Sequence, residues 1–155
     1  MKNLTEISGV AIQPLKQIED QRGAVLHMLR ADSTLFQGFG EIYFSLVLPG
    51  AVKAWKRHRQ MTQLFAVPVG NIRLVLYDTR EGSSSQGRLE EHILGRPDHY
   101  CLVRIPPLLW YGFQGLGTAP SLVANLTDYV HDPQEAEGLA FDSPDVPYGW
   151  KAVDR

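Results

Sequence analysis

One histidine stands among cations and amides. From Lys53 the chain reads Lys-Ala-Trp-Lys-Arg-His-Arg-Gln, so Lys53, Lys56, Arg57, Arg59 and Gln60 crowd around His58, with Gln63 just beyond. A neutral imidazole titrates near physiological pH and can take a proton from a carbon next to a carbonyl. The enolate left behind needs hydrogen-bond donors or cations close by, and this segment holds both. On a strand, alternate side chains share a face, so Lys56, His58 and Gln60 should point one way and Arg57 and Arg59 the other. The same spacing also suits a core histidine with satisfied ring nitrogens. The cations, likewise, fit either a solvated strand face or an anion site.

The other candidates carry less. A second motif, Ile-Pro-Pro-Leu-Leu-Trp-Tyr-Gly-Phe at 105–113, brings Trp110 and Tyr111. With Trp55 these rings could stack on a base or a sugar, or fill a barrel. A divalent metal needs several imidazoles or carboxylates converging from two strands. Here His58 is followed by Arg59 and Gln60, and Gln63 stands where a carboxylate could have helped, so no metal site is expected. His27 lies in an alternating run that could face the same cavity, His92 and His99 sit in or beside surface strands, and His131 precedes an Asp-Pro turn. Cys101 lies in an apolar run and reads as a buried, inert thiol.

The elements that must position these groups are strands. Period-two and β-branched patterns recur near 24–30, 41–48, 52–57, 62–68, 72–77, 88–94, 100–105 and 121–127. Glycine and proline breaks separate them, notably Pro49-Gly50, Gly70-Asn71, Pro106-Pro107 and the serine-rich loop at 82–87. Short strands punctuated in this way predict an all-β jelly roll or closed barrel. Helix signals are weak: Asp32-Ser33-Thr34 could cap a turn, and Asp132-Pro133-Gln134-Glu135 could open a short helix.

Size and charge bound the rest. A chain of 155 residues is one domain with a sizeable core. With 17 acidic against 15 basic residues, it is not expected to bind nucleic acid generally. No apolar stretch is long enough to span a bilayer and no signal-peptide pattern opens the chain, so a cytoplasmic location is the expectation.

Taken in order, these motifs resemble the dTDP-4-dehydrorhamnose 3,5-epimerase family, cupin-type double-stranded β-helices that act on nucleotide sugars. Asp20-Gln21-Arg22-Gly23 resembles the family's D-x-R-G opening, and Ala54-Trp55-Lys56-Arg57-His58 lies where the family has L-R-G-L-H. The stretch at 67–78 resembles its V-x-x-G-x-V-x-D-V-x-V-D strand pair, and 105–113 its I-P-x-G-F-A-H-G-F. Leu126-Thr127-Asp128-Tyr129 resembles the T-x-Y stretch after the catalytic tyrosine. The resemblance implies that His58 is a catalytic base and that Arg22 holds a diphosphate across a homodimer in which 9–30 pairs with the partner's sheet. It also marks departures. The family's tyrosine falls on Ala124, its lysine on Gln63, the histidine of H-G-F on Tyr111 and the arginine of L-R-G-L-H on Trp55. The C-terminal aspartate that orients the histidine has no counterpart.

The expectation is therefore an epimerase or isomerase of a nucleotide-activated 4-keto-6-deoxy sugar, working by enolisation in cell-surface polysaccharide synthesis, without cofactor. His58 would take the proton and Tyr111 return it. Gln60 and Gln63 would hold the enolate oxygen, and Arg22, Trp110 and Tyr129 would bind substrate. The alternative is a cupin of the same fold that binds a nucleotide sugar or carbohydrate without turnover.

Overall fold

Alternation along the strands decides the architecture. In the segment Asn71–Tyr77, Ile72, Leu74 and Leu76 are fully buried on one side, while Val75 is buried on the other. A strand covered on both faces reads as a continuous apolar run, which is how Ile-Arg-Leu-Val-Leu looks in the sequence. The computed structural model describes residues 4–151. Along them run β1 (Ala11–Pro14), β2 (Gln17–Asp20), β3 (Gly23–Leu26), β4 (Glu41–Val47), β5 (Val52–His58) and β6 (Gln63–Val69). Then follow β7 (Asn71–Tyr77), β8 (Leu89–Gly95), β9 (Cys101–Ile105), β10 (Trp110–Leu116), β11 (Ser121–Thr127) and β12 (Ala136–Gly138). Among the described residues there is no helix, and so none long and apolar enough to cross a membrane.

Two five-stranded antiparallel sheets form the jelly roll, ordered β1-β9-β6-β11-β4 and β12-β5-β10-β7-β8, with β2-β3 as a separate hairpin. Phe65, Val67, Val103, Ile105 and Val123 of the first sheet meet Ile72, Leu74, Leu76 and Phe113 of the second in the main core. A second cluster lies on the outer face of the second sheet, where Val146, Tyr148 and Trp150 pack on Trp55, Val75 and Trp110. On the outer face of the first sheet, Met28, Leu29 and Leu35 cover Leu64, Leu102 and Leu126.

Most expected strands are present, whereas β1, β2, β10 and β12 were not among those expected, and two expectations fail. The strand expected at 24–30 stops at Leu26, because β3 pairs only with β2 in an exposed hairpin. The segment 132–135 is a turn, not a helix: Asp132 Oδ1 accepts the Gln134 N–H and Asp132 O the Glu135 N–H, delivering the chain into β12. β10 runs through Gly112 and Gly115. Both are there for close approach. A Cβ on Gly112 would lie 2.4 Å from Ala54 Cβ, and one on Gly115 would lie 2.4 Å from Leu48 O.

Candidate active site

Between the sheets lies a cavity of about 350 Å3, within the ~300–1,000 Å3 range of small-molecule sites. Its polar wall is Tyr43, Ser45, Lys53, Lys56, Tyr111 and Asn125, and Phe65, Phe113 and Val123 supply the apolar part. Strand parity explains the set. Tyr43 pairs with Asn125 and Ser45 with Val123 across β4 and β11, so all four side chains point inward together.

His58 ends β5 and is 5% exposed. Its Nδ1 lies 2.6 Å from Glu135 Oε2, and its Nε2 lies 3.2 Å from the Tyr111 hydroxyl. Glu135 is held in turn by the backbone: the N–H groups of Gln60 and Met61 donate to Oε1 at 2.6 and 2.9 Å. Burial works to raise the Glu135 carboxyl. The two backbone donors and the imidazole outweigh it, and the group is held below the usual carboxylate range. Burial likewise pushes the His58 imidazole below its ordinary value, Lys56 and His131 push the same way, and Glu135 opposes them. An ionised Glu135 facing a neutral ring makes Nδ1 the protonated nitrogen, and the Nε2 lone pair then faces Tyr111. His58 does not itself line the cavity; it reaches it through the Tyr111 hydroxyl.

Tyr111 has one hydroxyl proton and two acceptors, His58 Nε2 and Gln63 Oε1 at 3.1 Å. Burial pushes its phenol well above the ordinary value, against the pull of Gln63, so it is protonated at neutral pH. Gln63 Oε1 also accepts from Asn125 Nδ2 at 2.8 Å, and Asn125 Nδ2 reaches the Tyr43 hydroxyl at 2.9 Å. One line of hydrogen bonds therefore runs Glu135–His58–Tyr111–Gln63–Asn125–Tyr43 and includes two phenols from opposing sheets. Among the described residues no three His, Cys, Asp or Glu side chains converge as metal ligands would.

The structure brings His58, Tyr111 and Gln63 together and leaves the other expected site residues outside this chain's cavity. Gln60 lies past the end of β5 and is exposed, because the strand parity that would have turned it inward ends at His58. Trp110 has the opposite parity to Tyr111. It faces the outer cluster, with the Arg57 guanidinium 4.5 Å above its ring. Arg57 and Arg59 point outward as expected and pair with Glu137. Tyr129 is 46% exposed beyond β11. Arg22 sits at the tip of the β2–β3 hairpin and, among the described residues, pairs with Asp20. The expectation of a histidine without an orienting carboxylate is overturned: Glu135 fills that place. It was missed because it lies 77 residues from His58 in sequence, inside what reads as a helix start. Asn125 and Tyr43 were also missed, although an asparagine at an inward position of the apolar strand β11 was a legible signal.

The family model for dTDP-4-dehydrorhamnose 3,5-epimerase matches residues 4–155. The chain is 36% identical over 155 residues to the probable low-salt glycan biosynthesis epimerase Agl13 of Haloferax volcanii, covering 96% of this chain and 97% of that protein. It is 29% identical over 151 residues to the spore coat polysaccharide biosynthesis protein SpsL of Bacillus subtilis, covering 96% and 99%. The crystal structure of a dTDP sugar isomerase from Desulfovibrio desulfuricans G20 superposes with a TM-score of 0.92 at 56% identity, covering 96% of this chain and 94% of that one.

Proposed function

We propose that this chain, which belongs to the dTDP-4-dehydrorhamnose 3,5-epimerase family, enolises a nucleotide-activated 4-keto-6-deoxy sugar. The observation that carries the reading is the Glu135–His58–Tyr111 line, a carboxylate-backed imidazole ending on a phenol at an open cavity. Tyr111 takes the proton from the carbon beside the ketone while passing its own to His58 Nε2. The imidazolium that forms is stabilised by Glu135, whose charge is fixed by two backbone donors. Once protonated, Nε2–H donates to the phenol oxygen, and Tyr111 turns its proton to Gln63 Oε1. Gln63 is thus the group that lets the phenol serve either state of the ring. Proton return from Tyr111 restores the original configuration. Return from Tyr43, on the opposing sheet, gives the epimer; the Tyr43 phenolate, 37% exposed, then takes a proton from solvent while the relay gives its own back to solvent.

The descriptions of the two relatives, in glycan and spore-coat polysaccharide synthesis, support a role in making cell-surface polysaccharide. We place the reaction in the cytoplasm and in a homodimer. The outer face of β4 leaves Phe44 and Leu46 more than 60% exposed beside Leu48 and Val69, an apolar patch suited to a second copy. In that dimer Arg22, too far out to serve its own cavity, would reach the partner's nucleotide diphosphate. Light scattering at micromolar concentration checks this, and a monomer refutes it.

The function is tested by proton–deuteron exchange at C3 and C5 of dTDP-4-keto-6-deoxy sugars in D2O. Wild type should exchange, His58→Asn should not, and Tyr43→Phe should exchange without inverting. A wild type that binds these sugars and exchanges nothing makes the protein a binding cupin.

A further inference from the structure

Four cations, Lys53, Lys56, Arg57 and Arg59, crowd the segment that carries His58, and the fold sorts them. The two arginines face outward and are neutralised by the shared Glu137. The two lysines line the cavity, which no carboxylate among the described residues lines. That sorting is not what a flat strand would do. Residues three apart on a strand lie on opposite faces. Here Lys56 pairs with Tyr111 and Lys53 with Phe113, so Ala54 and Trp55 together oppose the single residue Gly112. This is a β-bulge, and it returns the chain to the same parity after three residues. Gly112 permits it, since a Cβ there would collide with Ala54. Trp55 anchors it from outside. Its ring packs on Tyr148 and Trp150 at 6.0 and 5.1 Å, and its Nε1 donates to Phe141 O.

We propose that the bulge exists to build a two-lysine oxyanion site, in which Lys56 holds the oxygen of the enolate and Lys53 binds the oxygen beside it. The inference rests on the enolisation reading and supplies the cation which that reading otherwise lacks, because Gln63 carries no charge and its Oε1 is taken up by Tyr111 and Asn125. Lys56 is directly opposite Tyr111 across the β5–β10 ladder, so the ketone oxygen, two bonds from the carbon that Tyr111 deprotonates, lies within reach of its Nζ. Lys53 is steadied toward the β4 side, where its Nζ donates to Ser45 Oγ at 2.8 Å. In the reaction the C–H bond next to the ketone breaks and its proton goes to the Tyr111–His58 relay. The C–H electron pair becomes the C=C bond, and the carbonyl pair moves onto oxygen. Lys56 donates a hydrogen bond to that oxygen while it carries the charge. Reprotonation at carbon reverses each change, so no oxidant or co-reactant is consumed.

The test compares wild type, Lys56→Met and Lys56→Arg in the C3/C5 exchange assay, together with a histidine NMR titration. Lys56→Met should slow exchange at saturating substrate by about 10²-fold or more, with KM changed little and with partial recovery in Lys56→Arg. The titration is independent of any substrate. The charged and titratable groups around His58 are Glu135, Lys56, His131 and Tyr111. Removing the Lys56 cation from this set should move the His58 midpoint upward. Exchange in Lys56→Met within threefold of wild type overturns the oxyanion role. An unmoved His58 midpoint overturns the placement of the ammonium beside the relay. A wild type that exchanges nothing instead removes the enolisation reading itself, and that outcome is seen before any variant is made.

Discussion

Replacing Glu135 by glutamine changes one atom and should silence the relay without unfolding the protein. Glu135 Oε1 accepts from the backbone of Gln60 and Met61, and Oε2 faces His58 Nδ1 at 2.6 Å. In Glu135→Gln the amide oxygen keeps the two backbone donors, because an amide nitrogen there would meet two N–H groups. The NH2 must then face His58 Nδ1. That nitrogen can only accept, so the ring proton moves to Nε2 and points at Tyr111. The lone pair that should take the phenol's proton is gone. The same tautomer error in a serine protease triad costs about 10⁴-fold in kcat. Here a loss of about 10³- to 10⁴-fold in C3/C5 exchange is expected. The stability cost is one charge-assisted hydrogen bond exchanged for a neutral one, about 1–2 kcal/mol, or a fall of roughly 2–8 °C in melting temperature. Histidine ¹⁵N shifts report the tautomer, D2O exchange the chemistry and a thermal melt the fold. Exchange within tenfold of wild type, with the ring proton demonstrably on Nε2, would show that His58 is not the proton acceptor.

Three further predictions concern pH and stability. Because burial lowers the His58 pKa, the exchange rate should already be on its plateau at neutral pH and fall to half at a pH below about 6.5, the unperturbed value; a midpoint above that value would contradict a buried neutral base. The same shift bears on the fold. An unfolded chain binds a proton at His58 more readily than the folded one, so stability should decline as pH falls through about 6.5 toward the folded pKa, and His58→Asn should flatten that slope in melts between pH 7.5 and 5. Asp78 is wholly buried and accepts from Arg80, Ser83 and Ser85, with Ser85 also receiving the Ser8 N–H. Asp78→Ala should cost about 3 kcal/mol, and wild-type behaviour in urea would refute its role in tying the 82–87 loop to the N-terminal segment.

Much of this molecule is local. Strand parity and glycine and proline punctuation were enough for an all-β jelly roll or closed barrel, because a side-chain period of two is a property of the backbone and needs no partner; the choice of the jelly roll came from the family resemblance. Parity also placed His58 and Lys56 on the inner face and the two arginines on the outer one. What parity could not foresee was its own interruption. The bulge opposite Gly112 is decided by the contact of β10 with β5 and by the Trp55 ring against Tyr148 and Trp150, residues more than ninety positions on. Lys53 therefore faced the wrong way in a strand read alone. The end of β5 left Gln60 in solvent, and the hairpin carried Arg22 away from the cavity. Glu135 is the clearest case. Nothing near it in sequence marks it as a partner of His58. It becomes one when β12 pairs Ala136 with His58 and two backbone N–H groups close on its carboxylate. The histidine proposed as the base could be named from the chain, whereas Glu135 and Tyr111, which flank its ring, are brought to it by long-range pairing alone.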